Sequence, residues 1–163
     1  MHTAEQVIAQ TKKWIEDVVI ACNFCPFAAR EVKRNAVHYI VEASTDIAAC
    51  LHTFINECIR MDEDVATETC FIIYPVAFKN FDDYLDFVSL AEALIEREGY
   101  EGIYQVASFH PDYQFAETRY EDVENFSNRA PYPCLHLLRE SSVEKAVAAF
   151  PDAGKIYEKN IET

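Results

Sequence analysis

The chain has 163 residues, half of them hydrophobic, and carries 14 basic and 28 acidic side chains for a formal charge of −14. That length fits one domain around one core, and the acidic balance excludes a protein that tracks a nucleic-acid backbone or a polybasic membrane binder, since both need clustered positive charge. No apolar run approaches the roughly 20 residues that cross a bilayer, and the first residues lack the basic patch and apolar stretch of a signal peptide, so a cytosolic protein without a membrane partner is expected.

Val7, Thr11, Trp14, Ile15, Val18 and Val19 recur at helical spacing and predict an amphipathic helix from about residue 4 to Ile20. Pro26 suits the first turn of a second short helix, which places Cys25 beside a helix N-terminus. The run Val37-His38-Tyr39-Ile40-Val41 reads as a strand, as does Cys70-Phe71-Ile72-Ile73-Tyr74, which Pro75 stops. Between them Ser44, Thr45 and Asp46 offer caps for a helix with Ile47, Leu51, Phe54, Ile55 and Cys58 on one face. Asn80 caps a third helix, with Phe81, Tyr84, Leu85, Val88, Ala91 and Ile95 along one side and Gly99 as its stop. A strand from Ile103 to Phe109 follows.

From His110 to Pro133 the pattern gives way to an irregular segment holding Tyr113, Phe115, Tyr120, Phe126 and Tyr132 with two arginines. Long irregular segments in compact domains are functional or disordered, and the aromatic content argues against disorder. Cys134 to Leu138 then reads as a fourth strand, and Ser141-Ser142-Val143-Glu144 as a capping box opening a last helix that Pro151 closes. Helical crossovers between successive strands imply parallel pairing. The expected fold is therefore α/β: a small, largely parallel sheet of about four strands with helices packed on it, one domain over 1–163. Residues 1–34 form its N-terminal helix and Cys25 motif, and 110–133 its aromatic loop.

Cys22, Cys25, Cys50, Cys58, Cys70 and Cys134 read as reduced thiols in a chain of this class, with Cys50, Cys58 and Cys70 inside apolar patterns. Residues 1–34 carry five basic and four acidic side chains, against nine and twenty-four in the remainder. The stretch around Cys25, with Arg30, Lys33 and Arg34 behind it, is thus the least negative part of the chain.

Three segments stand out as motifs: Asn23-Phe24-Cys25-Pro26-Phe27-Ala28, Ser108 to Ala116 (SFHPDYQFA), and Asn128 to Glu140 (NRAPYPCLHLLRE). In this order they resemble the signatures of a mostly bacterial family catalogued as domain of unknown function 1415, over nearly the whole chain. The resemblance implies a shared fold and no assigned activity. In that family the position of Cys22 is commonly apolar.

A thiol at a helix N-terminus near basic residues has a lowered pKa, which makes Cys25 the candidate nucleophile or redox thiol. A buried cysteine joining two helices is the alternative. His110 follows the third strand, where open α/β sheets place their ligands, and is read with His136 as acid or base, Asp112 orienting a histidine. Turn chemistry at His110-Pro111-Asp112 is the alternative for His110, and a satisfied core histidine for His136. Arg129 and Arg139 suit a carboxylate or phosphate, with Tyr113, Gln114 and Tyr132 lining the same segment, unless both arginines pair with the chain's own acidic groups. No glycine-built phosphate cradle is present.

These residues lead to a cysteine-dependent hydrolase or transferase, or a thiol oxidoreductase, acting on a small anionic molecule without a cofactor. The alternatives are a non-catalytic ligand-binding or interaction domain, and a zinc or iron domain. Cys22, Cys25, His110 and His136 would form the zinc set, and His110, Asp112 and His136 the iron set.

Overall fold

The fold is that of a computed structural model describing residues 2–20 and 37–149. Cys22, Cys25, Arg30, Lys33 and Arg34 lie outside the described residues. Helix α1, Ala4–Trp14, opens on a capping box in which the Thr3 hydroxyl accepts from the Gln6 amide and the Gln6 side chain accepts from the Thr3 amide. It continues as a π-helical segment over Ile15–Ile20. Strand β1 spans Val37–Val41. Helix α2, Ile47–Glu63, starts on Asp46, whose carboxylate accepts from the Ala49 amide. Strand β2, Thr69–Ile73, is buried throughout. Helix α3, Phe81–Arg97, starts on Asn80 as its capping chemistry predicts. Gly99, with φ of +79°, takes the left-handed conformation that ends it.

Strands β3, Tyr104–Phe109, and β4, Cys134–Arg139, complete a four-stranded sheet in the order β1-β2-β4-β3. β1 and β2 pair in parallel, whereas β4 runs antiparallel to both β2 and β3. The expectation of a largely parallel sheet is therefore corrected to a mixed sheet with one parallel pair. The two helical crossovers do keep β1, β2 and β3 in one direction. The chain then returns through the long 110–133 segment and inserts β4 between β2 and β3. The last helix, α4, Glu140–Ala149, leaves β4 without a loop, so Ser141, the expected cap, lies inside its first turn, and the Ser142 hydroxyl donates to Glu68.

The sheet has two apolar faces. Cys70, Ile72, Leu135, Leu137 and Tyr104 pack against Phe54, Cys58 and Met61 of α2 and Tyr84, Phe87, Ala91 and Ile95 of α3. Each fully buried large side chain there contributes roughly 1.5–3 kcal/mol. The alternate residues Phe71, Ile73 and Cys134 pack with Val7, Trp14 and Ile15 of the N-terminal helix. Tyr84 ties the layers together, accepting from the Phe109 amide at 2.9 Å and donating to the Cys134 carbonyl at 2.6 Å.

Candidate functional site

The irregular segment is a folded loop, and the residues singled out in it hold its backbone. His110 is buried. Its Nδ1 accepts from the Asp112 amide at 3.0 Å, which leaves the ring proton on Nε2, donated to the Phe78 carbonyl at 2.7 Å. Phe78 is held at φ of +58°, a left-handed conformation unfavourable for a bulky side chain, so His110 pins a strained turn. The ring also packs against Phe81 and Tyr84 of α3. The carboxylate of Asp112 faces no histidine; it accepts from the Tyr120 hydroxyl.

Arg129 donates from Nε to the Tyr113 carbonyl at 3.0 Å and from a terminal nitrogen to the Tyr120 carbonyl. Its guanidinium lies 3.9 Å from the centre of the Tyr120 ring and 5.1 Å from that of Phe126. Among the described residues it has no carboxylate partner, so its planar fork serves as a clamp on the loop backbone. Tyr113 bonds Ser108 through its hydroxyl, Gln114 donates to the Thr118 carbonyl, and Tyr132 donates to Gln10 of α1. Asn125, which sequence reasoning passed over, is fully buried. It accepts from the Phe115 amide and the Thr118 hydroxyl and donates to the Arg119 carbonyl. In sequence it is one polar residue within the mostly polar run Glu121 to Asn128, which gives no sign of burial.

Arg139 belongs to the opposite end of β4. Its guanidinium donates to the carbonyls of Met61 at 2.6 Å, Asp64 at 3.0 Å and Thr67 at 2.9 Å. It thereby satisfies the orphan carbonyls at the C-terminus of α2, where the helix dipole favours a cation.

His136 stands apart from His110. In β4 it faces the side of the sheet covered by α1, in a cross-strand row formed by Tyr39, Phe71, His136 and Ala107. Its ring stacks on Phe71 at 4.0 Å and 10°, and Phe71 stacks on Tyr39 at 5.8 Å. Phe109, the last residue of β3, lies 6.3 Å from His136 and 5.4 Å from Trp14, whose ring meets it edge-on. Within this layer three buried polar atoms have no hydrogen-bond partner among the described residues: Trp14 Nε1, Thr69 Oγ1 and His136 Nε2. Burial holds the pKa of His136 down at about 3, so the imidazole is neutral at physiological pH. Lys12 of α1 places its ammonium 5.0 Å over the Tyr39 ring, at the outer end of the stack.

The structure therefore brings His110, Asp112, Arg129, Tyr113 and Gln114 into one loop, puts Arg139 under α2, and sets His136 with Trp14 on the other face. Among the described residues no three histidine, cysteine or acidic side chains are grouped to hold a metal ion. Cys50, Cys58, Cys70 and Cys134 are buried free thiols, and burial raises the pKa of each, to about 11 for Cys50 and about 12 for Cys58. Trp14 was legible only as part of an apolar stripe, although it is the one tryptophan of the chain.

No helix of the described residues is long and apolar enough to cross a membrane. No curated protein and no solved structure matches the chain. The model of the family described as "Protein of unknown function (DUF1415)" matches residues 6–163, and the chain belongs to that family.

Proposed function

We propose that the chain is a small-molecule enzyme whose ligand sits against the sheet face shared by Trp14, Phe71, Phe109 and His136. One observation supports this reading: the Trp14 indole N–H and the His136 Nε2 are buried in one aromatic layer without hydrogen-bond partners among the described residues. A buried polar atom left unpaired costs about 1–3 kcal/mol, which a ligand that supplies its partner would recover. The π-helical segment that begins immediately after Trp14 is of a kind concentrated at functional sites.

A compact anionic metabolite fits these groups. In this reading the indole donates to an anion oxygen, and Lys12 supplies a cation at the edge of the stack, over the Tyr39 ring. An anion beside His136 would raise its pKa and draw a proton onto the imidazole, which then acts as an acid toward the ligand. In this proposal Cys25 is the nucleophile or redox thiol. The second reading, a non-catalytic binding domain, is favoured by the fact that His110, Arg129 and Arg139 are spent on backbone groups.

Thermal unfolding and tryptophan fluorescence with a panel of small carboxylates and phosphates test the site, using wild type, His136→Phe and Cys25→Ser. At least one compound should raise the melting temperature and change Trp14 emission in wild type and Cys25→Ser, and in neither respect affect His136→Phe. A panel without response, or an unchanged response in His136→Phe, sinks the proposal. Turnover of the responding compound, lost in Cys25→Ser, selects the enzyme over the binding domain.

A further inference from the structure

The 110–133 loop presents a second surface, on its outer side. Tyr120, Val123 and Phe126 are 49%, 38% and 46% exposed and lie within seven residues of one another. Val123 and Phe126 lie on the 3₁₀ helix Val123–Asn128, three residues apart and so eclipsed on one side of it. The underside is held by a set of hydrogen bonds, most of them partly buried. Asn125 makes three, Arg129 clamps two carbonyls and stacks under Tyr120, and Asp122 accepts from the Arg119 amide. The aromatic side chains are thus presented outward by a scaffold ordered in advance, which lowers the entropy lost on association. The segment 110–133 carries five carboxylates, Asp112, Glu117, Glu121, Asp122 and Glu124, against two arginines. Arg129 turns inward and Arg119 is the one exposed arginine of the segment, so the surroundings of the patch carry a net negative charge.

We infer that this surface is a docking site for a partner protein, specifically for a basic segment that places an apolar side chain between lysines or arginines. Aromatic centres with a charged rim are the anatomy of protein interfaces, and the net negative charge selects the sign of the partner. The same charge disfavours nucleic acid and anionic lipid.

The test uses the full chain and a short synthetic peptide alternating lysine and leucine, followed by fluorescence anisotropy at low and high salt. Replacing the peptide leucines by serine, or Val123→Ser in the protein, should each weaken binding about tenfold, the scale of one buried interface side chain. Glu121→Gln with Glu124→Gln should reduce the salt dependence, whereas His136→Phe should leave peptide affinity unchanged. Val123 makes none of the bonds that hold the loop, and an unchanged melting temperature in Val123→Ser confirms that folding is intact. Absence of binding overturns the inference. So does binding indifferent to Val123→Ser and Phe126→Ser, which would be general attraction to an acidic chain. A wild-type dimer broken by Val123→Ser would also overturn it, because the occupant would then be a second copy.

Discussion

Replacing His110 by alanine separates a structural brace from a chemical group. In the folded chain both ring nitrogens are occupied, one by the Asp112 amide and one by the Phe78 carbonyl, and the ring is packed between Phe81 and Tyr84. His110→Ala removes both bonds, each with a net worth of about 1 kcal/mol, and deletes a buried ring at a cost of about 1–2 kcal/mol. The expected loss is about 3–4 kcal/mol, or a melting temperature lower by about 6–16 °C for a chain of this size. His110→Asn should recover part of it, because an asparagine oxygen accepts from the amide two residues on, as Nδ1 does. Differential scanning calorimetry of the three proteins measures this. A His110→Ala protein that melts within about 2 °C of wild type would refute the brace and return His110 to the list of chemical groups.

Arg129→Lys should cost about 1–2 kcal/mol, because one ammonium cannot hold the carbonyls of Tyr113 and Tyr120 and cover the Tyr120 ring at once. Hydrogen exchange should show faster exchange between residues 113 and 120. The burial that holds His136 at about 3, against an ordinary value of 6.5, means that the unfolded chain binds the extra proton between those values. Stability should therefore fall as pH drops from 6.5 toward 3, by up to about 1.4 kcal/mol per pH unit from this residue. His136→Phe, which keeps the stack on Phe71, should flatten that slope in urea titrations at pH 6, 5 and 4, and a slope equal to that of wild type would contradict the burial argument. Native alkylation at neutral pH should spare Cys50, Cys58, Cys70 and Cys134, whose thiols are buried and raised, so that mass spectrometry finds label only on Cys22 and Cys25.

Local pattern carried much of the fold. The caps at Asp46 and Asn80 and the strand runs at 37–41 and 70–74 depend on near neighbours and formed at or within a residue of their expected places, whereas the expected helix faces held only in part: Ile47 and Leu85 are exposed, and Cys50 and Met61 of α2 and Phe87 of α3 are buried instead. The position of β4 could not be read that way. Its alternation marks a strand, but insertion between β2 and β3 depends on pairing across dozens of residues, which no local period encodes.

The site was legible in residue type and not in role. An arginine beside prolines looks the same in sequence whether its fork meets a phosphate or the carbonyls of Tyr113 and Tyr120. The alternation of His136 with Leu135 and Leu137 correctly predicts that it faces away from them. It could not say that Phe71 and Phe109 line that other face, or that His110 lies toward α3. Trp14 illustrates the remaining gap: periodicity shows that an indole is buried, whereas an N–H without an acceptor among the described residues is visible only in three dimensions.

The most direct measurement follows from Trp14 being the sole tryptophan, so that its indole N–H gives a single assigned resonance. Titrating the small carboxylates and phosphates into ¹⁵N-labelled protein should move that resonance downfield for at least one compound as the indole gains an acceptor. In the His136→Phe protein the same titration should leave the resonance in place. An indole resonance unmoved by every member of the panel at millimolar concentration, or moved equally in both proteins, would contradict a ligand site at Trp14 and His136.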